Sequence, residues 1–301
     1  MPELPEVESV RRGLEPYLKG RSFAQMEVLH PRANRGQEAP LKQLLERRTI
    51  RGVARRGKFL WLEFADENLK DPSRDVMFIH LGMSGQLRIG PSDSKHVRIR
   101  TRLSDGTELS FIDQRTFGYW LFAPWLKIAH IAPDPLEADF DAAAAARKIR
   151  AKRTVIKTAL LDQTVVSGIG NIYADEALWR AKIHPQTKAC DLSQAKALAL
   201  VDAATTVMRG ALAVGGTSFD ALYVNVNGES GYFNIDVERV EGSRTLEHRD
   251  WRCRTVVRRQ RVVSRSDQAQ RDLGKPLDSP TCSAMHRQRA RLRSLQGASH
   301  A

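Results

Sequence analysis

The chain has 301 residues, with 48 Lys and Arg against 35 Asp and Glu, a formal net charge of +13, and 42% hydrophobic residues. That length suffices for two domains with buried cores, and there is neither a long apolar run nor a charged-then-apolar leader, which excludes a membrane-spanning or exported reading. Three cysteines, Cys190, Cys253 and Cys282, stand at no close spacing, which excludes a disulfide scaffold and fits a reducing cytoplasm.

The chain opens Met1-Pro2-Glu3-Leu4-Pro5-Glu6-Val7-Glu8. Removal of Met1 ahead of the small Pro2 leaves a terminal secondary amine, able to attack an electrophilic carbon and form an iminium. An α-amino group of pKa ~7.7–8.0 is roughly one-tenth neutral at pH 7, against well under ~0.1% for a lysine near 10.4. Glu3 beside it offers a carboxyl to move protons. The same stretch also reads as a helix start: proline suits a first turn and carboxylates suit its positive end. Val7, Val10, Leu14 and Leu18 continue at helical spacing.

Short strand-like runs follow at 23–29, 49–53, 59–64, 76–81, 97–103 and 109–113, separated by turn signals such as Ser104-Asp105-Gly106. This pattern predicts a β-sandwich or flattened barrel. Three places in it look chemical. Arg55-Arg56-Gly57-Lys58 lies in a turn, where its cations face either a phosphate or solvent. Gly82-Met83-Ser84-Gly85 puts a flexible apolar side chain on a glycine-flanked tip, incidentally or as a wedge between base steps. In Asp113-Gln114-Arg115-Thr116-Phe117-Gly118, Arg115 and Phe117 fall on one side of an extended chain; a core phenylalanine and a structural Arg–Asp pair is the plainer alternative.

Together these four motifs, in this order, resemble the bacterial formamidopyrimidine-DNA glycosylases, which excise oxidised purines and then nick the abasic strand. Leu4 matches this branch rather than the related endonuclease VIII branch. The resemblance implies that Pro2 is the nucleophile on the deoxyribose C1′, that Glu3 assists sugar-ring opening, and that Glu6 supports it. It implies that Lys58 acts at the phosphate and lesion. Met83, Arg115 and Phe117 would fill the hole left by the everted nucleotide, with Arg115 on the orphaned cytosine. His80, His96, Lys157, Asn171, Ser218 and Tyr232 are its further expected DNA contacts. The family usually carries a second arginine where this chain has Thr116.

Residues 131–153 read as a linker, with a short helix from Ala142 to Arg150. A helix from Ile156 to Gln163, the turn Ser167-Gly168-Ile169-Gly170-Asn171 and a helix from Ile172 to Trp179 follow. Glycines before a helix leave its amides open to an anion, and the resemblance makes this the helix–two-turn–helix DNA clamp. A third helix, about 193–210, is amphipathic. Gly215-Gly216-Thr217-Ser218-Phe219 and 226–232 suit a mobile flap or a plain surface loop; the resemblance implies a loop closing over the everted base.

Beyond about residue 234 the resemblance stops. The family's zinc hairpin needs two Cys-x-x-Cys pairs, and Cys253 and Cys282 cannot supply four thiolates. A substitute set of His248, Cys253, Cys282 and His286 has unorthodox gaps. Residues 241–301 hold 14 Lys and Arg against 6 Asp and Glu, so much of the net charge lies in a polar, aperiodic tail.

The expected fold is α+β: an N-terminal β-sandwich flanked by helices over 1–130, a linker over 131–153, a helix–two-turn–helix domain with a capping loop over 154–235, and a degenerate basic tail over 236–301. The expected function is a bifunctional glycosylase/abasic-site lyase on duplex DNA with damaged bases. It is expected to act through a proline Schiff base with β,δ-elimination, as a bacterial cytoplasmic, nucleoid-associated monomer with no cofactor, no bound metal and no membrane partner. The alternatives are a DNA-binding homologue of impaired catalysis and a glycosylase for oxidised pyrimidines.

Overall fold

The structure is a computed structural model that describes residues 2–37, 39–45, 48–216 and 226. Helix α1 (Leu4–Leu18) leads into β1 (Phe23–Val28), a short α2 (Leu41–Leu45) and seven further strands: β2 (Ile50–Arg56), β3 (Phe59–Phe64), β4 (Asp75–His80), β5 (Gln86–Ile89), β6 (Val97–Leu103), β7 (Glu108–Ile112) and β8 (Tyr119–Pro124). They form two four-stranded sheets, ordered β1-β6-β7-β5 and β2-β3-β4-β8, with every pairing antiparallel. In β6, Val97, Ile99, Thr101 and Leu103 are buried and the arginines between them are not, as period-two alternation predicts. The second sheet is covered on both faces. Trp61, Val76, Phe78 and Ala123 pack on its outer side with Ile128 and Ile131, so β3 and β4 read as nearly continuous apolar runs.

Two strands and one helix escape the sequence reading. Strand β5 is four residues long and abuts the glycines of the 82–85 tip, while β8 ends in Pro124, which looks like a loop. Helix α2 is a single buried turn. Without β5 and β8 neither sheet is complete, so the sandwich is legible as a class but not as a topology.

The second half is helical: α3 (Ala142–Arg150), α4 (Ile156–Leu161), α5 (Asn171–Arg180) and α6 (Gln194–Ala213). In α6 the residues Ala197, Leu200, Val201, Ala204, Val207, Met208 and Ala211 form one buried stripe. Ser193 caps its start by accepting the Lys196 N–H at 3.2 Å. Its end is a Schellman turn: Gly215 at φ +82° donates to Leu212 O and Gly216 donates to Ala211 O at 2.8 Å. Helix α3, which the sequence groups with the linker, packs Ala145, Ala146 and Ile149 into this helical core. Among the described residues no helix is long and apolar enough to cross a membrane.

Helix α1 belongs to both cores. Val7, Val10, Leu14 and Leu18 lie in the sandwich core, whereas Leu4 lies in the helical core. Each fully buried leucine contributes about 1.5–3 kcal/mol relative to exposure. The helix is therefore fixed at both ends, and the residues ahead of Leu4 are held where the two cores meet.

Candidate active site

Pro2 and Glu3 are buried at that junction. The Leu4 N–H donates to Gly168 O at 3.1 Å, and Leu4 rests against Gly168, whose φ of +92° and lack of a side chain permit the approach. Glu3 then meets the start of α5, where its carboxylate accepts the N–H groups of Gly170 at 2.6 Å, Ile172 at 2.9 Å and Tyr173 at 3.4 Å. The helix N-terminus holds an anion, as the glycines ahead of it lead one to expect, and that anion is the chain's own Glu3. The positive end of the dipole and three unsatisfied amides account for the choice. Asn171 stays exposed beside it.

Three more groups complete the cluster. Glu6 accepts the Glu3 N–H at 2.9 Å and the Tyr173 hydroxyl at 2.7 Å. Lys58 donates to Ile169 O at 2.9 Å. Gln163 donates to the same carbonyl at 3.0 Å and accepts the Gly168 N–H at 2.9 Å, which holds the 168–170 turn in shape. Burial pushes the Glu3 carboxyl up to about 7, against the opposing pull of Lys58 and the α5 amides. Burial likewise lowers Lys58, countered by Glu3 and Glu6, and burial and the Glu6 carboxylate push the Tyr173 phenol upward. Lys58, Phe59, His80, Gln163, Gly170 and Asn171 line a cavity of about 350 Å³. His80 lies against Tyr119, ring centroids 5.3 Å apart, with its pKa lowered by burial and by Lys58 and Arg35.

The turn carrying Lys58 is fastened from behind. Arg55 reaches Glu8 at 2.9 Å and Asp134 at 2.6 Å, and Asp134, fully buried, also accepts the Gly57 N–H at 2.8 Å. Arg56 pairs with Glu137 at 3.2 Å and lies over Trp125. Internal carboxylates take up both arginines, so neither of the two readings of this turn, cations on a phosphate or cations in solvent, describes them. Only Lys58 reaches the cavity.

A second feature lies at the sandwich edge. The 82–85 and 113–118 loops touch main chain to main chain: a side chain on Gly82 would meet Gly118 N at 2.5 Å. Met83 and Phe117 are 38% and 50% exposed, and Arg115 points a guanidinium nitrogen at Met83 Sδ, 3.8 Å away. The Arg115 guanidinium is not paired with Asp113, whose carboxylate instead accepts the Arg115 and Gly118 N–H groups and the Ser84 hydroxyl. His96 sits at the base of the tip, where its carbonyl accepts the Asp113 N–H at 2.9 Å. Lys157 is ion-paired with Asp175 on α5 at 2.7 Å. Ser218 and Tyr232, with most of the expected capping loop and the tail residues His248, Cys253, Cys282 and His286, lie outside the described residues. Gly216 borders the cluster, since a side chain there would meet Glu6 Oε1 at 3.2 Å.

Sequence reasoning missed Tyr173, Gln163, Asp134 and Ser84 as site-building residues. Tyr173, Asp134 and Ser84 have partners remote in sequence, and Gln163 turns back onto the adjacent 168–170 turn. Among the described residues no group of three or more His, Cys, Asp or Glu is arranged to hold a metal.

A buried Glu3 carboxyl pushed up to about 7, a lysine beside it and exposed apolar side chains at a sandwich edge are what the molecule offers chemically. Comparison with known proteins places the chain in a family. The chain matches the formamidopyrimidine-DNA glycosylase N-terminal domain over residues 1–120 and the H2TH domain of the same enzymes over residues 131–222. It is 73% identical over 234 residues to a formamidopyrimidine-DNA glycosylase of Corynebacterium aurimucosum, covering 78% of this chain and 83% of that protein. It superposes on Lactococcus lactis Fpg in complex with abasic-site DNA with a TM-score of 0.66, 33% identity and coverage of 76% and 84% of the two chains. A mutant of that protein bound to Fapy-dG-containing DNA gives a TM-score of 0.67, 34% identity and coverage of 77% and 85%. The chain belongs to the formamidopyrimidine-DNA glycosylase family, a family of bifunctional N-glycosylases and abasic-site lyases active in DNA repair.

Proposed function

We propose that this protein excises oxidised purines, 8-oxoguanine and formamidopyrimidines, from duplex DNA and cleaves the abasic strand. The Pro2 amine, freed by loss of Met1, attacks C1′ as the N-glycosidic bond breaks and the base leaves with the electron pair. Attack leaves an aminal at C1′, the amine's N–H proton passing to solvent. As Glu3 gives its proton to O4′ the C1′–O4′ bond breaks, the sugar opens, and the proline nitrogen's lone pair forms the iminium with C1′. Loss of a C2′ proton expels the 3′-phosphate and a second elimination expels the 5′-phosphate, which is β,δ-elimination. Lys58 offsets phosphate charge, with Glu6 holding the Glu3 main chain.

The observation that carries this reading is the Glu3 carboxyl at about 7 next to Pro2, between Lys58 and the α5 amides. A group titrating near the working pH is suited to give and take a proton. His80, Met83, His96, Arg115, Phe117, Lys157, Asn171, Ser218 and Tyr232 form the DNA-binding set in this proposal, with Lys157 exchanging Asp175 for a phosphate. Residues 1–130 act as the catalytic domain, 154–235 as the clamp and 236–301 as a basic tail. The protein works as a monomer in the bacterial cytoplasm, associated with the nucleoid.

Zinc does not fit. The chain has three cysteines, and Cys190 is exposed in the helical domain, leaving two for a set that needs four. This shortage supports a second reading, a homologue that binds lesions without turnover. Borohydride trapping with an 8-oxoguanine·cytosine duplex separates the two. A covalent adduct that is lost on Pro2→Gly or when Met1 is retained supports the enzyme; tight binding with neither adduct nor nick supports the second reading. Metal analysis of the purified protein is expected to find no stoichiometric zinc.

A further inference from the structure

We propose that Asp113 is a positioning residue that sets the wedge before DNA arrives, and thereby governs how the protein reads the base opposite the lesion. The inference rests on the glycosylase reading given above.

Asp113 is 0% exposed, yet no cation pairs with its carboxylate among the described residues. Its oxygens are committed to the two loops instead. Oδ1 accepts the Ser84 hydroxyl and the Arg115 N–H, the latter at 3.1 Å, and Oδ2 accepts the Gly118 N–H at 2.7 Å. Ser84, 1% exposed, closes the ring: its Oγ also accepts the Arg115 N–H at 3.1 Å. One carboxylate therefore joins the loop bearing Met83 to both ends of the segment bearing Arg115 and Phe117. Its own main chain is fixed as well, because its N–H donates to His96 O at 2.9 Å and Arg98 Nε donates to its carbonyl at 2.7 Å.

A fully buried carboxylate loses the solvation that would stabilise its charge and depends on directed donors. Each of these donors fixes a loop atom, so the charge and the loop geometry hold one another in place. The resulting stem is rigid and polar, while Met83 and Phe117 at its tip are exposed. Asparagine at this position cannot substitute. Its amide has one acceptor end, so either the Gly118 N–H or the Ser84 and Arg115 donors would face an NH₂ group.

The test uses Asp113→Asn and Ser84→Ala in the full chain, with trapping rates on two substrates: an abasic site in single-stranded DNA, which has no opposite base, and the same lesion in a duplex. The duplex-to-single-strand ratio is expected to fall at least tenfold in Asp113→Asn and about threefold in Ser84→Ala. The preference for cytosine over adenine opposite 8-oxoguanine should narrow in both. If Asp113→Asn shows no cooperative melt, Ser84→Ala decides, since it removes a single hydroxyl. An unchanged ratio with unchanged opposite-base preference overturns the proposal and leaves the functional reading standing. Equal losses on both substrates also overturn it, because they mark a general effect on the fold. Absence of trapping by the unsubstituted protein on any substrate defeats the functional reading itself.

Discussion

The Glu3 cluster and the 82–85/113–118 tip are both built on a buried carboxylate, but the two carboxylates have opposite surroundings. Glu3 faces Lys58 and Glu6 as well as amides, and burial lifts it to about 7, so its proton is exchangeable near neutrality. Asp113 faces only main-chain N–H groups and one hydroxyl, so its carboxylate serves as a mechanical anchor between two loops. A proton-transfer group needs two accessible protonation states, whereas a mechanical stem needs directed donors. The surroundings follow that division: the cluster is closed by Leu4, Gly168 and Tyr173, whereas the tip leaves its apolar side chains in water.

The most severe way to break the comparison is to turn Glu3 into a fixed dipole. Glu3→Gln keeps the shape but presents an amide donor to the α5 N–H groups and has no proton to give. Trapping on 8-oxoguanine duplex should fall by about 10²–10⁴-fold, the usual share of a general acid–base group. An effect below tenfold in single-turnover assays would remove Glu3 from proton transfer. Next in size is Arg55→Ala, which takes the ion partner from the fully buried Asp134 behind the Lys58 turn, while Glu8 keeps Arg11 and Arg12. Breaking a buried pair on one side costs about 3–5 kcal/mol, to be read in urea unfolding, and the tip geometry should be unaffected.

The pH dependence of stability separates the carboxylates further. Folded Glu3 titrates at about 7, above the ~4.3 of an unfolded glutamate, so the folded state holds more protons between these values. Its contribution is fully present below about pH 4.3 and is lost as pH rises through about 7. Glu8 is held down to about 2; burial opposes this, but Arg11, Arg55 and Arg12 outweigh it. Its contribution is present above about pH 4.3 and is lost as pH falls toward 2. Glu3→Gln should therefore flatten the stability curve on the neutral side and Glu8→Gln on the acid side. Denaturant melts from pH 3 to 8 would expose an exchange of these two effects.

The same contrast explains what the sequence disclosed. The opening octet, Lys58 and the tip motifs are compact runs, so order alone singles out Glu3, Met83, Arg115 and Phe117, and the structure brings Glu3 to Lys58's turn and Met83 to Arg115. Helix α1 and the α6 stripe were likewise legible from spacing. The partners that make these residues work come from far along the chain: Tyr173 and Gly170 for Glu3 and Glu6, Asp134 for Gly57, Ser84 for Arg115. Periodicity does not encode such pairings. The basic turn misled for the same reason, because the carboxylates that hold Arg55 and Arg56 lie at Glu8, Asp134 and Glu137.

The smallest expected effect lies between the two tip residues themselves. Thr116 has φ +56°, a left-handed conformation that a β-branched residue rarely adopts, while its carbonyl accepts from Arg35 at 3.2 Å. Such a conformation costs on the order of 1–3 kcal/mol and persists only where neighbours impose it. Here the Asp113 bonds to Arg115 and Gly118 fix the chain on either side. Asparagine tolerates this region well, so Thr116→Asn should stabilise the protein by about 1 kcal/mol, a rise of roughly 2–4 °C in Tm. If the strain is imposed by Asp113, the gain should vanish in an Asp113→Asn background, where the segment can relax. An equal gain in both backgrounds would assign the strain to Thr116 alone and detach the tip's conformation from its carboxylate anchor.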